Sequence, residues 1–209
     1  MRAPFNSHDE RKIMMRRAIL GAIAAVMPLL AAAQVESYTI DPIHSFLNFS
    51  VDHLGFTTIY GRFDKSSGKA TLDRSGKKGS VDIAVESASI TTGDNDKGSR
   101  PRSRDEHLRS ADFFNSAEFP RMAFKSTAFR FSGESLSEIE GQVTLLGVTK
   151  PLTLKVERWK CGPHPFSKKE MCGGTANGRI KRSEFGMKYG VPAIGDEVNL
   201  MMGFEAYRD

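Results

Sequence analysis

Among 209 residues there are only two cysteines and one tryptophan, so a fold stapled by several disulfides is excluded. Beyond residue 33 no segment is apolar enough to supply the roughly 20 residues that cross a bilayer as a helix. Phosphate-cradling motifs are absent too: there is no P-loop and no G-x-G-x-x-G following a strand, so no nucleotide cofactor is expected. The G-x-S-x-G elbow of serine hydrolases and the H-x-H and H-E-x-x-H metal spacings are also missing. Excess charge is scarce. Residues 1–33 hold Arg2, Arg11, Lys12, Arg16 and Arg17 against Asp9 and Glu10, so +3 of the net +5 sits there and +2 remains on residues 34–209. The bulk of the chain is therefore no nucleic-acid binder on charge.

What is present begins with an export signal. Basic Arg11, Lys12, Arg16 and Arg17 precede the apolar stretch Ala18–Leu30, and Ala31-Ala32-Ala33 supplies an A-x-A cleavage site. The expectation is a secretory signal over residues 1–33, cleaved after Ala33, that delivers residues 34–209 to the periplasm. No cysteine follows the cleavage site, so no lipoprotein anchor is expected. In an oxidising compartment Cys161 and Cys172 are expected to pair. The competing reading is a zinc site built from Cys161, His164 and Cys172, for which no fourth ligand stands out nearby.

From Tyr38 onward apolar residues recur with period two, and Gly, Pro, Asn and Asp clusters divide them into short segments, the pattern of an antiparallel all-β domain. Ser45–Leu54 is the best single strand, with Leu47, Phe49, Val51 and His53 on one face. The alternation returns at Met122 and Phe124, at Val143 and Leu145, at Leu152, Leu154 and Val156, and from Val198 to Phe204. Strands with one apolar face must close into a barrel or a sandwich. One segment departs from the rhythm. Ser103-x-x-Glu106 is a capping box, and Leu108, Ala111 and Phe114 continue at helical spacing, which predicts a short helix at about 104–115 with Asp105 and Arg109 paired at i, i+4. The stretch Gly162–Gly174 reads as a surface excursion closed by the two cysteines.

Two constellations carry possible chemistry. Ser45, with His53 or His107 and Asp105, can be written as a catalytic triad, although hydrogen-bonded structural histidines explain the same residues. Lys97, Arg100, Arg102, Arg104 and Arg109 form a basic cluster that is either a solvated face or a contact for anionic lipid headgroups.

The run Tyr38-Thr39-Ile40-Asp41-Pro42-Ile43-His44-Ser45, continued by Phe49-Ser50-Val51-Asp52-His53-Leu54-Gly55, resembles the opening of the YceI family of lipocalin-like, polyisoprenoid-binding periplasmic proteins. Gly61-Arg62-Phe63, Ala88–Gly93, Arg104–Ser110 with Asp112-Phe113-Phe114, Phe119-Pro120, Gly147–Pro151 and Arg182–Met187 agree in order, so the resemblance covers Tyr38–Ala206. It implies an extended eight-stranded antiparallel barrel with one short helix, holding a polyisoprenoid or quinone-like lipid, with no catalytic apparatus, metal or cofactor. By matching position it makes Leu47, Phe49, Val51, Met122, Phe124, Val143, Leu145 and Leu154 tunnel-lining candidates, and His53, Asp105, His107 and Arg182 polar candidates near the tunnel. Leu146 stands where the family often has His, and Asn115 where Asp often follows the paired phenylalanines. The cysteine-bearing excursion is an addition that would cover one barrel end. The rival functions are a hydrolase-like enzyme using His53 or His107 on a lipid substrate, and a filled, ligand-free interaction or stress-response barrel.

Overall fold

A computed structural model describes residues 34–209; the expected signal segment, residues 1–33, and its cleavage point lie outside the described residues. The strand segments are β1 (Glu36–Ile40), β2 (Phe46–His53), β3 (Thr57–Phe63), β4 (Ser66–Asp73), β5 (Lys78–Glu86), β6 (Ile90–Thr91), β7 (Arg121–Ser132), β8 (Ser135–Leu145), β9 (Val148–Pro163), β10 (Glu170–Lys181) and β11 (Ile194–Arg208). All ladders are antiparallel, with β1 on β4, β4 on β5, β5 on β7, β2 on β3, β3 on β6, and β7 to β11 pairing in sequence order. Because β1 leads into β2, β3 into β4 and β5 into β6 with only short interruptions, the segments form eight staves. The barrel closes where β11 pairs with β2 through Val198–Gly203 and with β1 through Ala206–Arg208. Closure gives every stave two neighbours among the described residues, which is how an up-and-down sheet of this length avoids a free edge strand.

Connections alternate between the two ends. One end gathers the β2–β3 turn at 54–56, the long β6–β7 connection, the Leu146-Gly147 turn and the β10–β11 connection at 182–193. The other carries the turns at 74–77, 133–134 and 164–169 and the end of the chain. The helix α1 (Arg104–Arg109) belongs to the first end. Its capping box is formed as the sequence predicts: Ser103 Oγ accepts from Glu106 N and the Glu106 carboxylate accepts from Ser103 N.

The helix is shorter than expected. Ser110 adopts an extended backbone and its hydroxyl donates to His107 O at 2.7 Å, which ends the helix there, and turns carry the chain on to Phe119. Asp105 and Arg109 do not pair. Asp105 Oδ1 accepts from Thr92 N at 2.9 Å and from the Thr92 hydroxyl, while Arg109 donates to the carbonyls of Ala88 and Ile90. Gly162–Gly174 is likewise mostly strand: β9 runs to Pro163, β10 begins at Glu170, and Cys161 opposes Cys172 in the ladder, where they are joined as a disulfide. That pairing overturns the zinc reading, and His164 Nδ1 instead accepts from Phe166 N and Ser167 N. The hairpin continues the wall rather than folding across an end.

The barrel cavity and its mouth

Side chains from every stave meet inside the barrel around a cavity of about 540 Å³. Leu47, Phe49 and Val51 of β2, Met122 and Phe124 of β7, Val143 and Leu145 of β8, and Leu154 of β9 all face it. Four interior phenylalanines lie flat against the wall because the neighbouring strand offers a glycine. A Cβ placed on Gly61 would collide with the Phe49 ring, on Gly141 with Phe124, on Gly79 with Phe129, and on Gly174 with Phe204. Each ring fills the place of a missing side chain instead of crossing the lumen, so a lumen rich in phenylalanine stays open.

Period two is broken at bulges, and this brings in residues that strict alternation assigns outward. In β7 an extra residue at Thr127 shifts the inward face from Met122 and Phe124 to Phe129 and Phe131. In β9 the extra residue Glu157 turns Trp159 and Cys161 inward after Leu152 and Leu154. Trp159, which no candidate set contained, thereby lines the cavity at the end away from α1, beside Tyr38 and Leu72 from the unbulged β1 and β4. The sequence signal of Trp159 is the bulge, which composition does not reveal.

Polar groups collect at the α1 end. Arg100, Arg102, Arg104, His107, His53, Arg182 and Tyr189 line the cavity there, and the first three are partly exposed, which makes this end the mouth. Asp94 and Asp112 stand behind these arginines. Arg100 grips Asp94 with two bonds of 2.7 and 2.6 Å and holds its carboxyl below the usual range. Arg102, and after it His107, does the same to Asp112, each at 2.9 Å. The His107 ring also packs edge-on against Phe113 and Tyr189. Arg182 is buried, and burial pushes its guanidinium down from its ordinary value. Its three donors go to Gly195 O, Met187 O and Ile194 O at 2.8–3.0 Å, and its charge lies over the Phe113 ring.

Asp105 is fully buried but does not line the cavity; it ties α1 to Thr92. Ser45 sits at the opposite end of β2 from His53, about 26 Å away along the strand at the usual rise per residue. Its hydroxyl is occupied by the backbone of Glu205, so the triad written from the sequence is not assembled.

These features define a class: a small closed β-barrel that is apolar inside and polar at one mouth, with room for a slender guest. The chain belongs to the YceI-like family, whose profile, described as YceI-like domain, matches residues 38–206. Protein YceI of Escherichia coli O6:H1 is 34% identical over 195 residues, covering 91% of this chain and 97% of that protein. The crystal structure of the Campylobacter jejuni YceI protein superposes with a TM-score of 0.63 at 25% identity, over 76% of this chain and 90% of that one. A polyisoprenoid binding domain from Saccharophagus degradans, implicated in plant cell wall breakdown, has the same fold with a TM-score of 0.60 at 18% identity, over 83% of this chain and 99% of its own.

Proposed function

We propose that the barrel binds the tail of a polyisoprenoid or similar long-chain lipid, quinone-like lipids included, and sequesters or carries it without a catalytic step. The observation that carries this reading is the division of the cavity: apolar walls along its length, polar groups at one mouth. Burying about 500 Å² of tail at about 25 cal/mol per Å² would yield about 12 kcal/mol before the costs of ordering and association. The Saccharophagus degradans domain, described as polyisoprenoid binding, supports the reading through its shared fold. We place the activity in the periplasm on the strength of the export signal in residues 1–33. The basic residues of the mouth suit contact with an anionic membrane surface during loading.

Native mass spectrometry of protein recovered from its own periplasm, followed by solvent extraction, tests this. The expected result is an adduct that dissociates as an isoprenoid lipid. Protein that carries no lipid and takes up no added polyprenol overturns the reading, and conversion of a lipid during incubation overturns its non-catalytic part.

A further inference from the structure

Strand β11 changes partners along the closing seam. It pairs with β2 as far as Gly203 and with β1 from Ala206, and the segment 41–45 that joins β1 to β2 passes the change at Glu205. The backbones are locked together there. Asp41 N donates to Glu205 O at 2.9 Å, while the hydroxyl of buried Ser45 accepts from Glu205 N at 2.9 Å and donates to Glu205 O at 3.1 Å. This lock gathers three side chains on the outside of the seam. His44 Nδ1 stands 2.7 Å from Asp41 Oδ2 and 3.9 Å from Glu205 Oε2, and the three atoms all lie within 4.8 Å of one another. Asp41 is aimed by its own turn: Ile43 N donates to Oδ1 at 2.9 Å, which leaves Oδ2 for the imidazole. Gly173 of β10 opposes Glu205, and a Cβ there would stand 3.3 Å from Glu205 Cγ, so the missing side chain gives the glutamate room beside the sheet.

Charge is unbalanced at this spot. Glu36 on β1 is answered by Arg74 and Arg208, and the chain-end Asp209 by Lys69. Among the described residues no Lys or Arg nitrogen lies within 4.0 Å of the Asp41 or Glu205 carboxylate, whose one basic neighbour at that distance is His44. Two carboxylates left with a single imidazole between them favour a cation.

We propose that Asp41, His44 and Glu205 bind a zinc ion on the barrel seam. Zinc takes one imidazole nitrogen and carboxylate oxygens at about 2.0–2.2 Å, which sets tetrahedral ligand atoms about 3.4 Å apart. The present separations bracket that value. The Asp41 side chain is only 11% exposed and stays fixed, while His44 and Glu205, at 59% and 38%, can rotate to close the set. The ion takes the place of the proton shared by Nδ1 and Oδ2, which leaves to water. His44 and Glu205 also border a surface groove with Lys160 and Pro163, through which water reaches the fourth position. Calcium and magnesium call for six or more ligands, mostly oxygen, so the imidazole and the small ligand number select zinc. Because its ligands come from both sides of the seam, the ion staples the β1–β2 junction to β11.

The test is equilibrium dialysis of the chelator-treated exported protein, free of any affinity tag, against zinc sulfate, with thermal unfolding of the same samples. The expected result is one zinc ion per chain, held in the micromolar range and not displaced by excess magnesium or calcium, together with a higher thermal midpoint. His44→Ala and Glu205→Gln should each weaken binding by about tenfold or more and abolish the rise in midpoint. His164→Ala, which removes a histidine on the β9–β10 turn, should change neither. Asp41→Asn keeps an oxygen for Ile43 N and removes the charge, so its loss of zinc separates ligation from a broken turn. Should one of these variants not fold, the other two and the unmodified protein still decide. Protein that takes up no zinc, zinc that stays bound in His44→Ala and Glu205→Gln, or zinc lost only in His164→Ala overturns the site.

Discussion

Arg182 keeps a full charge inside the mouth with no carboxylate in hydrogen-bonding contact, its donors spent on the three carbonyls of Met187, Ile194 and Gly195. This fixes the β10–β11 connection, which carries Tyr189 over His107. Removing the guanidinium strands three carbonyls, so Arg182→Met should cost about 2–4 kcal/mol in urea denaturation at neutral pH. Arg182→Lys should recover only part, since an ammonium cannot reproduce the planar fork. A loss below about 1 kcal/mol in the Met variant would contradict the clamp. The resemblance to the family placed Arg182 near the tunnel; its partners could not be read, because all three are backbone atoms of residues that sequence alone does not bring together. Asp105 was legible in the same limited way, as a polar residue on a capped helix, while its bond to Thr92 depends on how a long loop returns.

At the level of the element, the pairing of rings with glycines decides whether the barrel is open or filled. Gly141 opposes Ser126 and Leu152 in its ladders, and the Phe124 ring reaches diagonally across its face. A methyl at Gly141 meets both that ring and the Lys125 carbonyl oxygen, so it must displace the ring toward the lumen and shift the strand. Gly141→Ala is therefore expected to reduce the bound isoprenoid and, in lipid-free protein, to cost about 1–3 kcal/mol of stability as the ring is forced from its seat. Extractable lipid per protein and a denaturant midpoint measure the two effects. Unchanged lipid content would show that the ring has another place to go. Strand alternation made β2 and the Val143–Leu145 stretch readable, since an unbroken ladder keeps one phase. It could not yield Phe129, Phe131 or Trp159, because one inserted residue reverses the phase of everything after it. The helix end was missed for a related reason: Ala111 and Phe114 continue the helical spacing, but the Ser110 hydroxyl competes for the last turn.

The whole molecule has two unlike ends, and one exposed apolar tip stands at the mouth, as Phe166 stands at the other. The β2–β3 turn holds Leu54 and Gly55 both at positive φ (61° and 70°), and Phe56 beside them is 92% exposed. Leucine is poorly suited to the left-handed region, where Asn and Gly are the usual occupants of such a turn. An apolar residue kept there at a cost to the backbone, next to an exposed phenylalanine and the mouth arginines, suits a surface that dips into a lipid interface. Leu54→Asn should raise stability by up to about 1 kcal/mol while weakening binding to phosphatidylglycerol-containing vesicles severalfold, and Phe56→Ser should weaken that binding without the gain. Vesicle flotation and thermal unfolding measure the two effects. Unaltered flotation in both variants would reduce the tip to an ordinary turn.

The position of Trp159 has a consequence of another kind. It is the chain's sole tryptophan, and it lines the cavity at the end away from the mouth, with its ring 6.2 Å from that of Phe204. All indole emission from this protein therefore originates at the cavity wall, at the end away from the mouth. The colour and yield of that emission depend on whether water or hydrocarbon adjoins the ring, so the molecule carries an intrinsic optical probe of its own occupancy. A guest held only among the arginines leaves the light unchanged, and one that reaches bottom alters it.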